Sequence, residues 1–337
     1  MSCRPTAVLI SDVHYNLQTL PLADASMRMA IDKANSLSIP LIVAGDLHDT
    51  KANLRGECVN AMIDTFQYAD KLGVFCYVLR GNHDSLNEKS KDSAIKFLEV
   101  PAAVIEEPFF ISELTLYAIP YQHSPENLIV YISKLPEGST IIMHQGISGS
   151  KSGEYIQDKS AISGEYLENL RIISGHYHTR QDIKCGRLRK GHVGLASYIG
   201  NPYTLNYAEA DDPEKGFQIL HSDGSLEFIP TNLRRHRVYE LQANDWKGCL
   251  VGVKEDLIWL KISGTKEQLS TINKAAVLEH YHYFGNIRLD LIPTDSVNRV
   301  EHKNQTQSEL LDSTIDSLTA TTDETKLRLK SLWRGFV

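Results

Sequence analysis

Arg80-Gly81-Asn82-His83-Asp84 stands at the end of the apolar run Gly73 to Leu79, and its reading decides the fold. Val74, Phe75, Cys76, Tyr77, Val78 and Leu79, bounded by glycines, predict a buried strand, so the polar cluster falls on a strand-end loop. In α/β folds that is where chemistry sits. Four further apolar runs end in the same way. Asp12-Val13-His14 follows Ala7 to Ile10, Gly45-Asp46 follows Leu41 to Ala44, His144 follows Thr140 to Met143, and His176-Tyr177-His178 follows Arg171 to Ser174. Any one of these reads equally well as a loop-capping Asp or His; all five in one chain read as a metal centre. A set of carboxylates, a carboxamide and imidazoles suits Mn, Fe or Zn better than Ca or Mg alone, and the absence of Cys ligands argues against a structural zinc site.

Between these strand ends lie helical patterns. Met27, Ala30, Ile31, Ala34 and Leu37 recur at helical spacing, as do Ala61, Met62, Thr65, Phe66 and Ala69, so residues 7 to 79 alternate strand and helix in an α/β layout with crossover helices. Short strands from Phe109 to Pro120, a helix near Pro125 to Lys134, and strands at Arg171, Val193 and Phe217 follow. At 337 residues the chain has room for one large domain and one or two smaller pieces. With 35 basic and 42 acidic residues, its net charge of −7 provides no global attraction to nucleic acid, so phosphate binding must come from local patches or bound metal. Five cysteines, widely spaced and without a C-x-x-C pair, fit free thiols in a reducing compartment. No leader pattern follows Met1 and no apolar run reaches membrane-spanning length, so the expectation is a soluble cytoplasmic protein without membrane association.

The order D-x-H, G-D, G-N-H-D, H, G-H-x-H, from Asp12 to His178, resembles the calcineurin-like metallophosphoesterase superfamily. The resemblance implies an α/β fold, a β-sandwich flanked by helices, over residues 1–233. It also implies two metal ions, expected to be Mn with Mg, Fe or Zn as alternatives. One would be held by Asp12, His14, Asp46 and His178, the other by Asp46, Asn82, His144 and His176. Asp46 is then the shared carboxylate, as two ions about 3.5 to 4 Å apart require. His83 is the expected general acid. Asp84 either raises the pKa of His83 or only fixes the loop. The family often has His or Asp three residues after the shared carboxylate; here that place is Asp49, and His48 reads as a solvated loop histidine. Gly-Asn-His-Asp without a D-R-G sets the chain apart from the phosphoprotein phosphatase branch.

Tyr198-Ile199-Gly200-Asn201-Pro202-Tyr203-Thr204-Leu205, then Glu209, then Lys215-Gly216-Phe217, resembles the SbcD-type DNA repair nucleases. The same residues also fit a plain strand, turn and strand. Ser174 to Thr179 and Glu227-Phe228-Ile229-Pro230 are further similar to the phage recombination endonuclease small subunits of that family, which would place the protein in a host cytoplasm. Val13, Tyr15 and Asn16 depart from the family's first motif and leave the ligands intact. The resemblance implies a homodimer and a DNA exonuclease and endonuclease, with a small-molecule phosphodiesterase or phosphatase as the alternative.

From Arg237 the pattern becomes strand, strand, a helix over Gln268 to Tyr281, and strand, a small α+β domain at 237–293 that the resemblance makes a DNA-contacting cap. Arg234, Arg235 and Arg237 on its approach, and Lys184 and Arg187 on an expected hairpin, are basic residues that could hold phosphates, with a solvated linker as the alternative for the first run. Residues 294–308 read as a polar linker. In 309–337, Leu329, Leu332, Trp333 and Phe336 lie on one helical face. The resemblance implies that these C-terminal helices dock on an SbcC-type SMC-like ATPase. No Walker A motif is present, so ATP hydrolysis is expected only from that partner.

Overall fold

The strands begin where the apolar runs do. A computed structural model of the chain describes residues 3–87, 90–99, 101–150, 161–185, 194–294 and 325–326. In chain order they form β1 (Pro5–Ile10), α1 (Leu20–Leu37), β2 (Leu41–Val43), α2 (Gly56–Lys71), β3 (Cys76–Leu79), β4 (Ala103–Ile105), β5 (Phe109–Ile111), β6 (Leu116–Ile119), α3 (Pro125–Ile132), β7 (Thr140–His144), β8 (Arg171–Gly175), β9 (Gln181–Cys185), β10 (Gly194–Tyr198), β11 (Gly216–His221) and β12 (Leu226–Pro230). A final group follows: β13 (His236–Gln242), β14 (Leu257–Gly264), α4 (Lys266–Ser270), α5 (Lys274–His280) and β15 (Asn286–Pro293).

Two six-stranded sheets result, in the orders β12-β11-β1-β2-β3-β4 and β5-β6-β7-β8-β10-β9. In the first, β1 to β4 run parallel and the hairpin β11–β12 adds antiparallel beside β1. In the second, β6, β7, β8 and β10 run parallel between antiparallel edges. Side chains alternate across a strand, and both faces of each sheet are apolar here. Ala7, Leu9, Ile42, Ala44 and Leu79 face Ile111, Leu116, Ala118, Ile142 and Ile173 across the sandwich. Val8, Ile10, Val43 and Val78 turn the other way, onto Met27 and Ile31 of α1 and Met62 and Phe66 of α2. Each such fully buried side chain contributes about 1.5–3 kcal/mol. Leu128 and Ile132 of α3 cover Ile141, Met143 and Ile172. The fold is thus a β-sandwich flanked by helices, with the parallel strands of both sheets ending at one rim.

The third sheet, β13-β14-β15, is all parallel. Ile258, Leu260 and Ile262 pack against Leu269, Val277, Tyr281 and Phe284 on one side of it. The single helix predicted over Gln268 to Tyr281 is two short ones. Thr265 and Gln268 form a capping box at the start of α4, and Asn273 caps α5 by accepting from the backbone N–H groups of Ala275 and Ala276. An N-cap residue is not helical, so Asn273 ends one helix where it begins the next.

Candidate metal centre

Three strand ends of the first sheet and two of the second converge at the rim, and the backbone there is bent. Asp12, His14, Asp46 and His176 all have positive φ, at 54°, 51°, 51° and 92°. For such residues this region costs about 1–2 kcal/mol. Strain of this kind persists only where surrounding structure holds it, and it clusters at functional sites. Close approach requires glycine as well. A Cβ on Gly45, at φ 92°, would collide with the His144 ring, and one on Gly81 with the Asp46 side chain.

The side chains delivered there form two groups of expected ligands and a third group, His14, Asp49 and His83, that overlaps the first. The ligand atoms of Asp12, His14 and His178 lie within 4.8 Å of one another, and so do those of Asp46, His144 and His176. Asp46 Oδ2 is 3.2 Å from His144 Nε2 and 3.9 Å from His14 Nε2, so one carboxylate oxygen faces both groups. Its other oxygen accepts from the His83 backbone N–H at 2.8 Å, which sets that direction. Asn82 Oδ1 is 3.1 Å from His144 Nε2 and 2.9 Å from His176 Nδ1, and His14 Nε2 is 3.1 Å from His178 Nε2. Nitrogens bound about 2.1 Å from a single ion lie about 3 Å apart, so these spacings fit the donor set of a metal. All seven expected ligands are therefore together at the rim.

Outer bonds fix the rings. His144 is fully buried and its Nδ1–H donates to the Ala44 carbonyl at 2.7 Å, which leaves Nε2 facing Asp46. Ser11 Oγ donates to Asp12 Oδ2 at 2.6 Å, and the His176 N–H lies 3.1 Å from both Asp12 oxygens. Burial pushes the Asp46 carboxyl up, but the imidazoles of His144, His83 and His14 outweigh it and hold the group well below the usual carboxylate range. Burial would lower His144; the Asp46 charge instead raises it to about 9.

A model of the calcineurin-like phosphoesterase family matches residues 5–186, more than half of the chain. The chain belongs to the calcineurin-like phosphoesterase family. Members of this family work through a dinuclear metal centre, and the clusters above are candidate ligand groups for it. Several solved structures are similar to the chain at low identity. A dimetal phosphatase from Danio rerio is 11% identical, covering 64% of this chain and 92% of its own, with a TM-score of 0.39. An archaeal phosphodiesterase is 15% identical over 66% of this chain and 98% of its own, at TM-score 0.33. The nuclease MPE of Pseudomonas putida is 12% identical over 66% and 87%, at TM-score 0.32. No curated protein matches the chain.

In this calcineurin-like phosphoesterase the remaining predicted residues take varied places. His83 is half-buried; its Nδ1 lies 2.5 Å from the Asp49 carbonyl oxygen and its ring centroid 5.0 Å from that of His14. Asp84 fixes its loop. Fully buried, it accepts from the N–H groups of Gly81 at 2.8 Å, His48 at 2.9 Å and Leu47 at 3.4 Å, which joins the two loops. That bond also corrects His48. Drawn in by Asp84, His48 is 1% exposed rather than solvated, and burial lowers its pKa to about 4. Asp49 Oδ1 lies 3.3 Å from His14 Nδ1, a contact whose sequence signal was its spacing from Asp46.

Among the basic residues, Arg237 Nε pairs with buried Asp256 at 2.5 Å, and Arg235 Nη2 donates to the Asp212 carbonyl at 2.6 Å. Both are engaged within the protein. Arg234 lies half-buried beside them, and Lys184 is exposed on the β9–β10 hairpin. Arg187, the linker from residue 295, and the proposed docking residues Leu329, Leu332, Trp333 and Phe336 lie outside the described residues. Among the described residues no helix is long and apolar enough to cross a membrane.

Proposed function

We propose that this chain is a Mn-dependent deoxyribonuclease, the nuclease subunit of an SbcC/SbcD-type complex in double-strand break repair and recombination. The reading is carried by one observation. The stretch that resembles the SbcD-type nucleases, Tyr198 to Phe217, supplies the groups bonded to His178 at the rim: Glu209 on its Nδ1, and the Asn201 N–H and Lys215 Nζ on its carbonyl. It is thereby tied to the ligand cluster, which supports the reading.

Asp12, His14, Asp46 and His178 would hold one ion, and Asp46, Asn82, His144 and His176 the other. When bound, the ions supply Lewis-acid stabilisation of charge on the phosphoryl oxygens and lower the pKa of water. Asn82, a neutral donor, leaves net positive charge at the centre for an anionic phosphodiester. His83, with its Nδ1 on the Asp49 carbonyl, is the general acid that would give its Nε2 proton to the leaving oxygen. The cap at 237–293 lies along the DNA. Contacts come from Arg234, from Lys184, from Arg187, and from the guanidinium nitrogens of Arg235 and Arg237 not engaged with Asp212 and Asp256. The protein forms a homodimer, and residues 309–337 dock on the SMC-like ATPase.

The test sets degradation of linear duplex DNA with Mn beside hydrolysis of a small aryl phosphodiester. Both proceed in a nuclease; cleavage of the ester without DNA degradation, with the ATPase present, makes the protein a small-molecule phosphodiesterase. Deleting residues 309–337 leaves ester cleavage intact and abolishes ATPase association; co-purification at wild-type affinity moves docking elsewhere.

A further inference from the structure

His178 and His144 are both expected ligands, yet they are held in different ways. His144 has no exposed surface, so packing and the Ala44 carbonyl together settle its ring. The His178 side chain is 31% exposed at the mouth of the centre, and packing alone does not settle its direction. What does is a carboxylate. Glu209 Oε1 lies 2.8 Å from His178 Nδ1, reached from a short 3-10 turn at Tyr207–Glu209. With Nδ1–H donated to that oxygen, the Nε2 lone pair is left facing the rim, 3.1 Å from His14 Nε2.

Glu209 is itself built in. It is 7% exposed, and a buried carboxylate is costly unless charge and hydrogen bonds compensate it. Its second oxygen accepts from Asn201 Nδ2 at 2.9 Å and the Leu205 N–H at 3.1 Å, with Lys215 Nζ at 3.3 Å. Lys215, equally buried, also donates to Asn201 Oδ1 and Asp212 Oδ2, each at 2.6 Å, and to the His178 carbonyl at 3.1 Å. The donors on Oε2 fix the carboxyl plane and leave Oε1 to the imidazole. A carboxylate behind a ligating histidine fixes its tautomer and raises its basicity, and loss of such a partner typically costs 10- to 100-fold in metal affinity.

We propose that Glu209 is a positioning residue for His178, held by Asn201, Leu205 and Lys215, and that it sets the affinity of the ion on the His178 side of the centre alone. The inference rests on the dinuclear reading of the site and not on DNA as its substrate.

The experiment is a Mn2+ titration of the metal-free full-length chain, with bound ions counted by elemental analysis and free Mn2+ read by electron paramagnetic resonance. The wild type binds two ions. Glu209→Ala weakens one of them about 10- to 100-fold and leaves the other unchanged. Glu209→Gln, which keeps an oxygen acceptor for Nδ1–H, falls between. Side-chain 15N shifts of His178 in the metal-free protein report the Nδ1–H tautomer in the wild type and a mixture in Glu209→Ala, a change that a purely structural role would not produce. Two tightly bound ions in a folded Glu209→Ala chain, or equal weakening of both, overturns the proposal. If Glu209→Ala does not fold, the same titration of Glu209→Gln decides. A wild-type chain that takes up no ion overturns the metal reading and this inference with it, so the two failures are told apart.

Discussion

The sandwich and the cap both contain parallel sheets, and only one of them ends in chemistry. In the cap, β13 runs into a 3-10 turn, β14 into the Thr265 capping box, and β15 into Thr294, which are ordinary ways to finish a strand. In the sandwich the ends of β1, β2, β3, β7 and β8 run into residues at positive φ, close-packed glycines and metal-ligand side chains. The difference is the second sheet. The cap's sheet packs its core on one side against α4 and α5, whereas the sandwich sets two sheets face to face so that strand ends from both meet at one rim. Parallel strands supply the direction, and a facing sheet supplies the partner ligands.

The sharpest break in this comparison is Asp46→Asn, because Asp46 faces both ligand groups. Both ions should weaken together, and cleavage should fall by on the order of 10⁴ or more as several kcal/mol of charge stabilisation are lost. Metal analysis retaining one tightly held ion would show that the carboxylate is not shared. Next is His83→Ala, expected to slow cleavage by on the order of 10² to 10⁴ while both ions stay bound. Loss of metal in that variant would make His83 a ligand rather than an acid.

A matched pair then tests the two regions directly. Asp84 and Asp256 are both buried carboxylates that staple loops: Asp84 takes three backbone N–H groups, and Asp256 takes the N–H groups of Arg235 and Val253 together with Arg237 Nε. Asp84→Ala strands its donors and should cost roughly 3 kcal/mol in urea unfolding, with weaker binding of both ions, since it couples the Asp46 and Asn82 loops. Asp256→Ala should cost less, about 1–2 kcal/mol, because the freed Arg237 reaches solvent, and should leave metal affinity unchanged. Equal metal loss in both variants would mean that cap and rim are energetically one unit.

The apolar runs and the residues after them made the strands that end at the rim largely readable from the chain. Asp12, His14, Asp46, Asn82, His144, His176 and His178 are recognisable because each follows a run long enough to be a strand, and a strand end admits few alternatives. Less readable was whatever depends on where a backbone group points. The Ala44 carbonyl behind His144 has no side-chain signal at all. The role of Asp84 stayed open because its donors come from residues 47, 48 and 81, and two of these belong to another loop. The break at Asn273 was missed because spacing alone does not distinguish a helix interior from an N-cap.

By itself, then, the sequence determined which strand ends carry metal-ligand side chains, because hydrophobic periodicity and residue chemistry are local properties; their division into two groups came from the family resemblance. Tertiary structure alone decided that Asp84 joins the loops of residues 47, 48 and 81, that His48 is buried, and that Glu209 stands behind His178. Each of these depends on two segments far apart in the chain meeting at a set distance, and that distance is established only when the two sheets pack.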